Sequence, residues 1–128
     1  MAVPRTLPDL TKPELAIMKL FWAAGPLSAR ELHERLRSST AWAYSTTRTT
    51  LDRMVKKLLL TKKDFHGINL YAPRITKPVG IAQLVRDFAD RVLEVEPSSV
   101  VSLFARSESL TEEEMKELAA LLSGDADR

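Results

Sequence analysis

Apolar residues recur at helical spacing early in the chain: Leu15, Met18 and Trp22, with Ile17 and Phe21 beside them. Ahead of them Thr11-Lys-Pro-Glu14 has the form of a capping box. In it the Thr11 hydroxyl accepts from the amide of residue 14, and the Glu14 carboxylate reaches back to the amide of residue 11. Pro13 falls in the first turn, where its missing N–H costs nothing, and Gly25-Pro26 stops the run. Ser28-Ala-Arg-Glu31 repeats the capping pattern, with Leu32 and Leu36 following on one face. Serines and Thr40 make a loop, and a third helix starts near Ser45. Its periodicity turns Thr47, Leu51, Met54, Val55 and Leu58 inward. Thr46, Arg48, Thr49, Asp52, Arg53, Lys56 and Lys57 are left on the polar side or its margins.

The segments Leu60–Asp64 and Ile68–Ala72 flank a polar turn at His66-Gly67 and end at Pro73, which suits two short strands in a hairpin. Pro26-Leu27-Ser28 is a candidate third strand. The second half begins with Thr76-Lys-Pro78 and a long helix carrying Ile81, Leu84, Val85, Phe88, Val92 and Leu93 on one stripe, broken at Glu96-Pro97-Ser98. A short helix follows with Val100, Val101, Leu103 and Phe104. A third capping box, Thr111-Glu-Glu-Glu114, opens a last helix with Met115, Leu118, Leu121 and Leu122 apolar. The expected architecture is mainly α: a winged helix-turn-helix with a small β-hairpin wing over residues 1–75, then an all-α region over 76–128. About 50 residues this apolar do not close a core alone, and a second copy of the chain is the economical cover. Ile81, Leu84, Val85, Phe88, Val92, Val101, Phe104, Met115 and Leu118 are the expected dimerisation residues.

Composition narrows the chemistry. The 128 residues contain no cysteine, which removes disulfides, thiolate metal sites and thiol redox sensing. No apolar run approaches a membrane span and no cleavable leader pattern is present, so a cytoplasmic protein is expected. The net charge of +2 says little, but its distribution says more. Residues 44–63 hold six cations against Asp52 alone, whereas residues 108–128 hold seven acids against Lys116 and Arg128. His33 and His66 have no companion at ligand spacing and read as surface residues. Glu112–Glu114 complements a helix dipole. With no nucleophile elbow and no phosphate-cradling glycine loop, neither an enzyme nor a cofactor is expected.

In a winged helix-turn-helix the third helix enters the major groove of double-stranded DNA. Arginine can donate two hydrogen bonds to guanine, and threonine can place a hydroxyl on a base edge and a methyl against thymine. Toward the helix C-terminus Arg53, Lys56 and Lys57 suit phosphates, and Lys62 and Lys63 on the wing would reach a flanking backbone. Trp22 reads as packing. Trp42 either braces the third helix or rests its indole N–H on a phosphate, with bracing favoured.

The run Leu10-Thr-Lys-Pro-Glu14 with Met18 and Trp22, then Ser28–Leu36, Trp42–Leu51, Arg53–Lys57 and Tyr71-Ala-Pro73, resembles the penicillinase-repressor family of the BlaI/MecI/CopY type. The resemblance covers essentially the whole chain. It implies base contacts by Thr46, Arg48 and Thr49, phosphate contacts by Ser45, Lys56 and Lys57, and a homodimer that shuts a promoter by covering a two-fold symmetric operator. The chain departs from the family where members usually have glycine and it has Leu59, and where their wing carries Gly-Arg and it has His66-Gly67. It lacks the cysteine cluster of the copper-responsive branch. In the β-lactam branch a membrane sensor protease triggers cleavage between Asn and Phe, and the matching pair here is Leu103-Phe104, without the Asn.

Two other readings use the same residues. A winged-helix protein–protein interaction module would dock an acidic partner on the third helix and show no preference among DNA sequences. A ligand-sensing repressor would line a pocket with Phe88, Val92, Phe104 and Met115, although apolar stripes at helical spacing are usually core.

Overall fold

The structure is a computed structural model, and it describes residues 8–97, 99, 101 and 110–123. Element order is α1 (Lys12–Ala24), β1 (Leu27–Ser28), α2 (Ala29–Leu36), α3 (Tyr44–Lys56), β2 (Leu60–Phe65), β3 (Ile68–Pro73), α4 (Lys77–Phe88) and α5 (Glu112–Leu122). A π-helical turn, Ala89–Leu93, prolongs α4. The strands form one antiparallel sheet in the order β1-β3-β2. Three helices with this sheet make a winged helix. The chain divides into two compact units, Thr11–Thr76 and the described residues of 77–128 with 8–10. No helix among the described residues is long and apolar enough to cross a membrane.

All three capping boxes form, at Thr11/Glu14, Ser28/Glu31 and Thr111/Glu114, each with both reciprocal hydrogen bonds. They depend only on residues three apart, so local sequence is enough to specify them. Ser28 has a second task, since it also ends β1 opposite Leu70 of β3. The hairpin turns on His66 and Gly67, both with positive φ (53° and 84°). This is the two-residue geometry whose twist matches paired strands. It sets the register that brings Lys62 opposite Tyr71 and Lys63 opposite Leu70.

In the winged unit Ile17, Met18, Phe21, Leu32, Leu51, Met54, Leu59, Leu60 and Tyr71 are buried. Leu15 and Trp22 sit at the margin of the α1 stripe, where the Trp22 indole N–H donates to the Ile75 carbonyl at 3.0 Å. In α3 Thr47, Thr50, Leu51 and Met54 are buried and Val55 is half-buried. Leu58 corrects the expectation from periodicity: it is 58% exposed with φ 65°. The helix ends before it. The Leu58 amide donates to the Val55 carbonyl and the Leu59 amide to the Met54 carbonyl, both at 3.0 Å. That pair of bonds is a Schellman ending, in which the left-handed residue is usually glycine and the next one packs inward. The left-handed residue is thus Leu58, one position before the Leu59 suggested by the resemblance. Leu58→Gly is expected to stabilise the fold by about 0.5–1 kcal/mol, because the left-handed strain removed exceeds the extra freedom glycine gives the unfolded chain. A urea midpoint that falls instead of rising would contradict this account of the turn.

In the other unit α4 packs on α5: Ala82, Val85 and Ala89 are buried, as are Leu118, Leu121 and Leu122. The Arg86 guanidinium donates to the Leu121 carbonyl at 3.0 Å. The long helix ends with the last residue of its apolar stripe, Leu93, ahead of the expected break at Glu96-Pro97, where Glu94 adopts φ 54° after the π-helical turn. Most of the short helix expected over 100–104 lies outside the described residues.

Candidate nucleic-acid interface

Thirteen residues make α3, and Ala43 enters it in extended conformation with no side-chain cap. The Thr46 amide donates to the Ala43 carbonyl at 3.0 Å, and no side chain covers the helix start, an end whose N–H groups suit an anion. Successive residues turn by about 100° around a helix. Opposite the buried row of Thr47, Thr50, Leu51 and Met54 lie Ser45, Thr49, Asp52 and Lys56. Arg48 stands on one flank of this crest, and Thr46 and Arg53 on the other.

A groove runs along each flank. On the α1 side Thr11, Pro13, Glu14, Trp42, Ser45, Thr46, Thr49, Thr50, Arg53 and Lys57 line it. Glu14 is 4% exposed there, and the Lys57 ammonium donates to both its oxygens at 2.7 and 3.0 Å. Burial pushes the Glu14 carboxyl up, but the Lys57 ammonium and the Thr11 amide outweigh it and hold it below its ordinary value. The carboxylate is therefore ionised throughout the neutral range, and Lys57 is its counter-ion.

On the wing side the groove is lined by Arg30, Tyr44, Arg48, Asn69 and Tyr71, with Phe65 and Ile68 at the hairpin. The Arg30 guanidinium lies 4.1 Å from the centre of the Tyr44 ring, a cation–π contact that holds it beside the start of α3. Tyr71 is buried, and its hydroxyl donates to Asp52 at 3.4 Å. Burial, then the charge and hydrogen bond of Asp52, raise the phenol above its ordinary value, while Arg48 pulls the other way. Lys62 stands 3.8 Å from Asp52. Both side chains are well exposed, so the pair adds little stability, but it offsets the one acid on the crest. Residues adjacent in a strand face opposite ways, so Lys62 turns to α3 and Lys63 away from it.

Of the expected base-contacting residues, Thr49 is on the crest, Arg48 on the wing-side flank and Thr46 on the opposite margin. Of the expected phosphate-contacting residues, Ser45, Arg53, Lys56 and Lys63 are exposed, Lys62 faces Asp52 and Lys57 is tied to Glu14. Trp42 is half-buried beside Ser45 in the α1-side groove. His33 is not a free surface residue. Its Nδ1 lies 2.8 Å from the hydroxyl of the fully buried Thr47, and its ring meets Tyr44 edge-on at 5.5 Å. Sequence reasoning missed Arg30, Tyr44 and the pairing of Glu14. Arg30 carried no local signal, since its platform Tyr44 comes fourteen positions later in the chain.

In the second unit the expected dimerisation residues sort into two groups. Val85 and Leu118 are buried within the chain, and Ile81, Val101 and Met115 are half-buried. Leu84, Phe88 and Val92, four residues apart, are 36, 46 and 63% exposed. Phe88 and Val92 therefore do not wall an enclosed pocket among the described residues. Phe104, and with it the Leu103-Phe104 pair, lies outside the described residues.

A family model described as penicillinase repressor matches residues 10–124. The penicillinase repressor of Bacillus licheniformis is 26% identical over 118 residues, covering 92% of each chain. The methicillin resistance regulatory protein MecI of Staphylococcus aureus strain N315 is 24% identical over 115 residues, covering 90% of this chain and 94% of MecI. Among solved structures, monomeric B. licheniformis BlaI in complex with the blaP half-operator superposes with a TM-score of 0.51 at 26% identity, over 58% of this chain and 90% of that one. The DNA-binding domain of the repressor BlaI gives the same TM-score and identity, over 60% and 90%.

Proposed function

The chain belongs to the penicillinase repressor family, and from that premise we propose that it is a sequence-specific DNA-binding repressor that covers a two-fold symmetric operator as a homodimer. The observation that carries the reading is the exposed side of α3, where Ser45, Thr49 and Lys56 form a crest between two grooves that hold Arg53 and Arg48. A helix so placed fits the major groove, with a phosphate strand along each flank. Thr49 touches bases because it stands in the middle of the crest, between Ser45 and Lys56 toward its two ends. Arg48 is long enough to reach a guanine edge from its flank, and Thr46 meets a base only at the margin of the contact. Ser45, Arg53, Lys56 and Lys63 hold phosphates, joined by Arg30 on its Tyr44 platform. Residues 11–76 read DNA, and the stripe Leu84, Phe88 and Val92 joins two chains.

A relative supports this: monomeric B. licheniformis BlaI is solved in complex with the blaP half-operator. Cleavage by a membrane sensor protease would fall at Leu103-Phe104.

Fluorescence anisotropy against a duplex selected from random sequence and a scrambled control, at low and physiological salt, tests the proposal. Two chains per site and a preference that survives physiological salt are expected. Equal, salt-labile binding to both duplexes would instead favour an acidic protein partner on the same face.

A further inference from the structure

We infer that Glu14 and Lys57 form a clamp that sets the pose of α3 for DNA, so that Lys57 is a positioning residue and not a phosphate ligand. The inference rests on the repressor reading and overturns one of its expected contacts.

Packing of the buried Leu51 and Met54 sets the angle of α3 on the core only to within the scatter of side-chain interdigitation, about 15–20°. Finer direction comes from polar contacts, one of them the Tyr71 bond to Asp52 in the middle of the helix and two at its ends. Near the N-terminus His33 of α2 holds Thr47. At the C-terminus Lys57 is the last residue before the left-handed turn, and its ammonium meets both oxygens of Glu14 across 43 residues of sequence. Glu14 is itself held, since its carboxylate accepts from the Thr11 amide at 3.0 Å inside the α1 capping box. The last turn of α3 is thereby tied to the first turn of α1 through one carboxylate that is 4% exposed. A lysine that left this carboxylate for a phosphate would strand a buried charge, which is a costly exchange. Lys56, one residue earlier, points outward and has no such tie among the described residues.

The sign of one substitution separates the alternatives. Glu14→Gln keeps the capping box, because glutamine serves at that position too, yet it removes a negative charge beside the interface. If Lys57 were a phosphate ligand masked by Glu14, the variant would bind DNA more tightly. With a clamp it binds a selected duplex more weakly, by roughly tenfold, within the span of couplings found inside one ion-paired network. Lys57→Gln is expected to match that loss while leaving the slope of log K against log salt unchanged. Lys56→Gln is expected to lower that slope by about one per chain, as a phosphate ligand does. The double variant Glu14→Gln/Lys57→Gln should lose no more than either single one, and Lys57→Arg should restore most of the affinity.

Amide hydrogen exchange of residues 54–59 reads the same clamp without DNA. It should accelerate in Glu14→Gln beyond the change in global stability. Tighter binding by Glu14→Gln, a lowered salt slope for Lys57→Gln, or unchanged exchange in that turn would each overturn the clamp. A wild-type protein that fails to distinguish the selected duplex from its scramble would defeat the repressor reading instead, and exchange alone would then decide the clamp.

Discussion

Phe88→Lys is expected to leave a folded monomer that binds a two-half-site operator about 10²–10⁴-fold more weakly than the parent, the range lost when two linked sites become independent. The expectation follows from how α4 divides its apolar residues. Ala82, Val85 and Ala89 are buried, in the unit where Leu118, Leu121 and Leu122 close the other side. Leu84, Phe88 and Val92 make a separate row that remains 36–63% exposed. Three large apolar side chains left exposed in one row suit a contact surface. A self-complementary row on one helix suits a two-fold axis, since each residue meets the same row of the partner. A lysine at position 88 leaves no internal cavity, so helicity by circular dichroism should hold while sedimentation reports one chain. Affinity for a duplex carrying a single half-site should not change. A variant that still sediments as a dimer, or a parent that sediments as a monomer, would remove this row as the joining surface.

What could be read from sequence follows the reach of each interaction. The three capping boxes, Gly25 after α1 and the His66-Gly67 turn depend on residues within four positions of one another, and all were legible. The polar face of α3 was legible because periodicity sorts a single helix into two sides. Periodicity failed at Leu58, which continues the apolar repeat in sequence although the backbone has already left the helix. It also could not say which apolar side of α4 meets α5 and which stays outside, because both sides carry the same residue types. The π-helical turn at Ala89–Leu93 had no local mark. Charges were misread where their partners are remote: Lys57 looked like one of five phosphate-facing cations until the fold brought Glu14 to it. His33 looked like a lone surface ring until α3 laid the Thr47 hydroxyl against it. Composition gives the number of charges, and tertiary structure decides which remain available to a ligand.

Arg48→Ala is expected to cost about 1–3 kcal/mol per half-site and to relax base preference at one position, because a bidentate arginine contact is lost while the backbone contacts stay. Of the cations around α3, Arg48 is the one best placed for this. Lys57 and Lys62 face acids, Lys56 and Lys63 are point charges suited to phosphate, and Arg53 shares the α1-side groove with Trp42 and Ser45. Arg48 makes no ion pair among the described residues, and it lies near Tyr71, whose hydroxyl bond to Asp52 ties the middle of α3 to β3. Arg30 beside it adds positive potential without competing for a base, since its guanidinium is stacked on Tyr44. Arg48→Lys should recover little of the loss, because an ammonium cannot present two parallel donors to guanine. Titrating parent and variant against half-site duplexes that differ by one base pair at a time gives the decisive pattern. A discrimination that collapses at one position while the others persist assigns Arg48 to a base. A loss of equal size across the whole panel, with a smaller salt slope, would move Arg48 to the backbone and leave Thr49 as the base-reading residue of the crest.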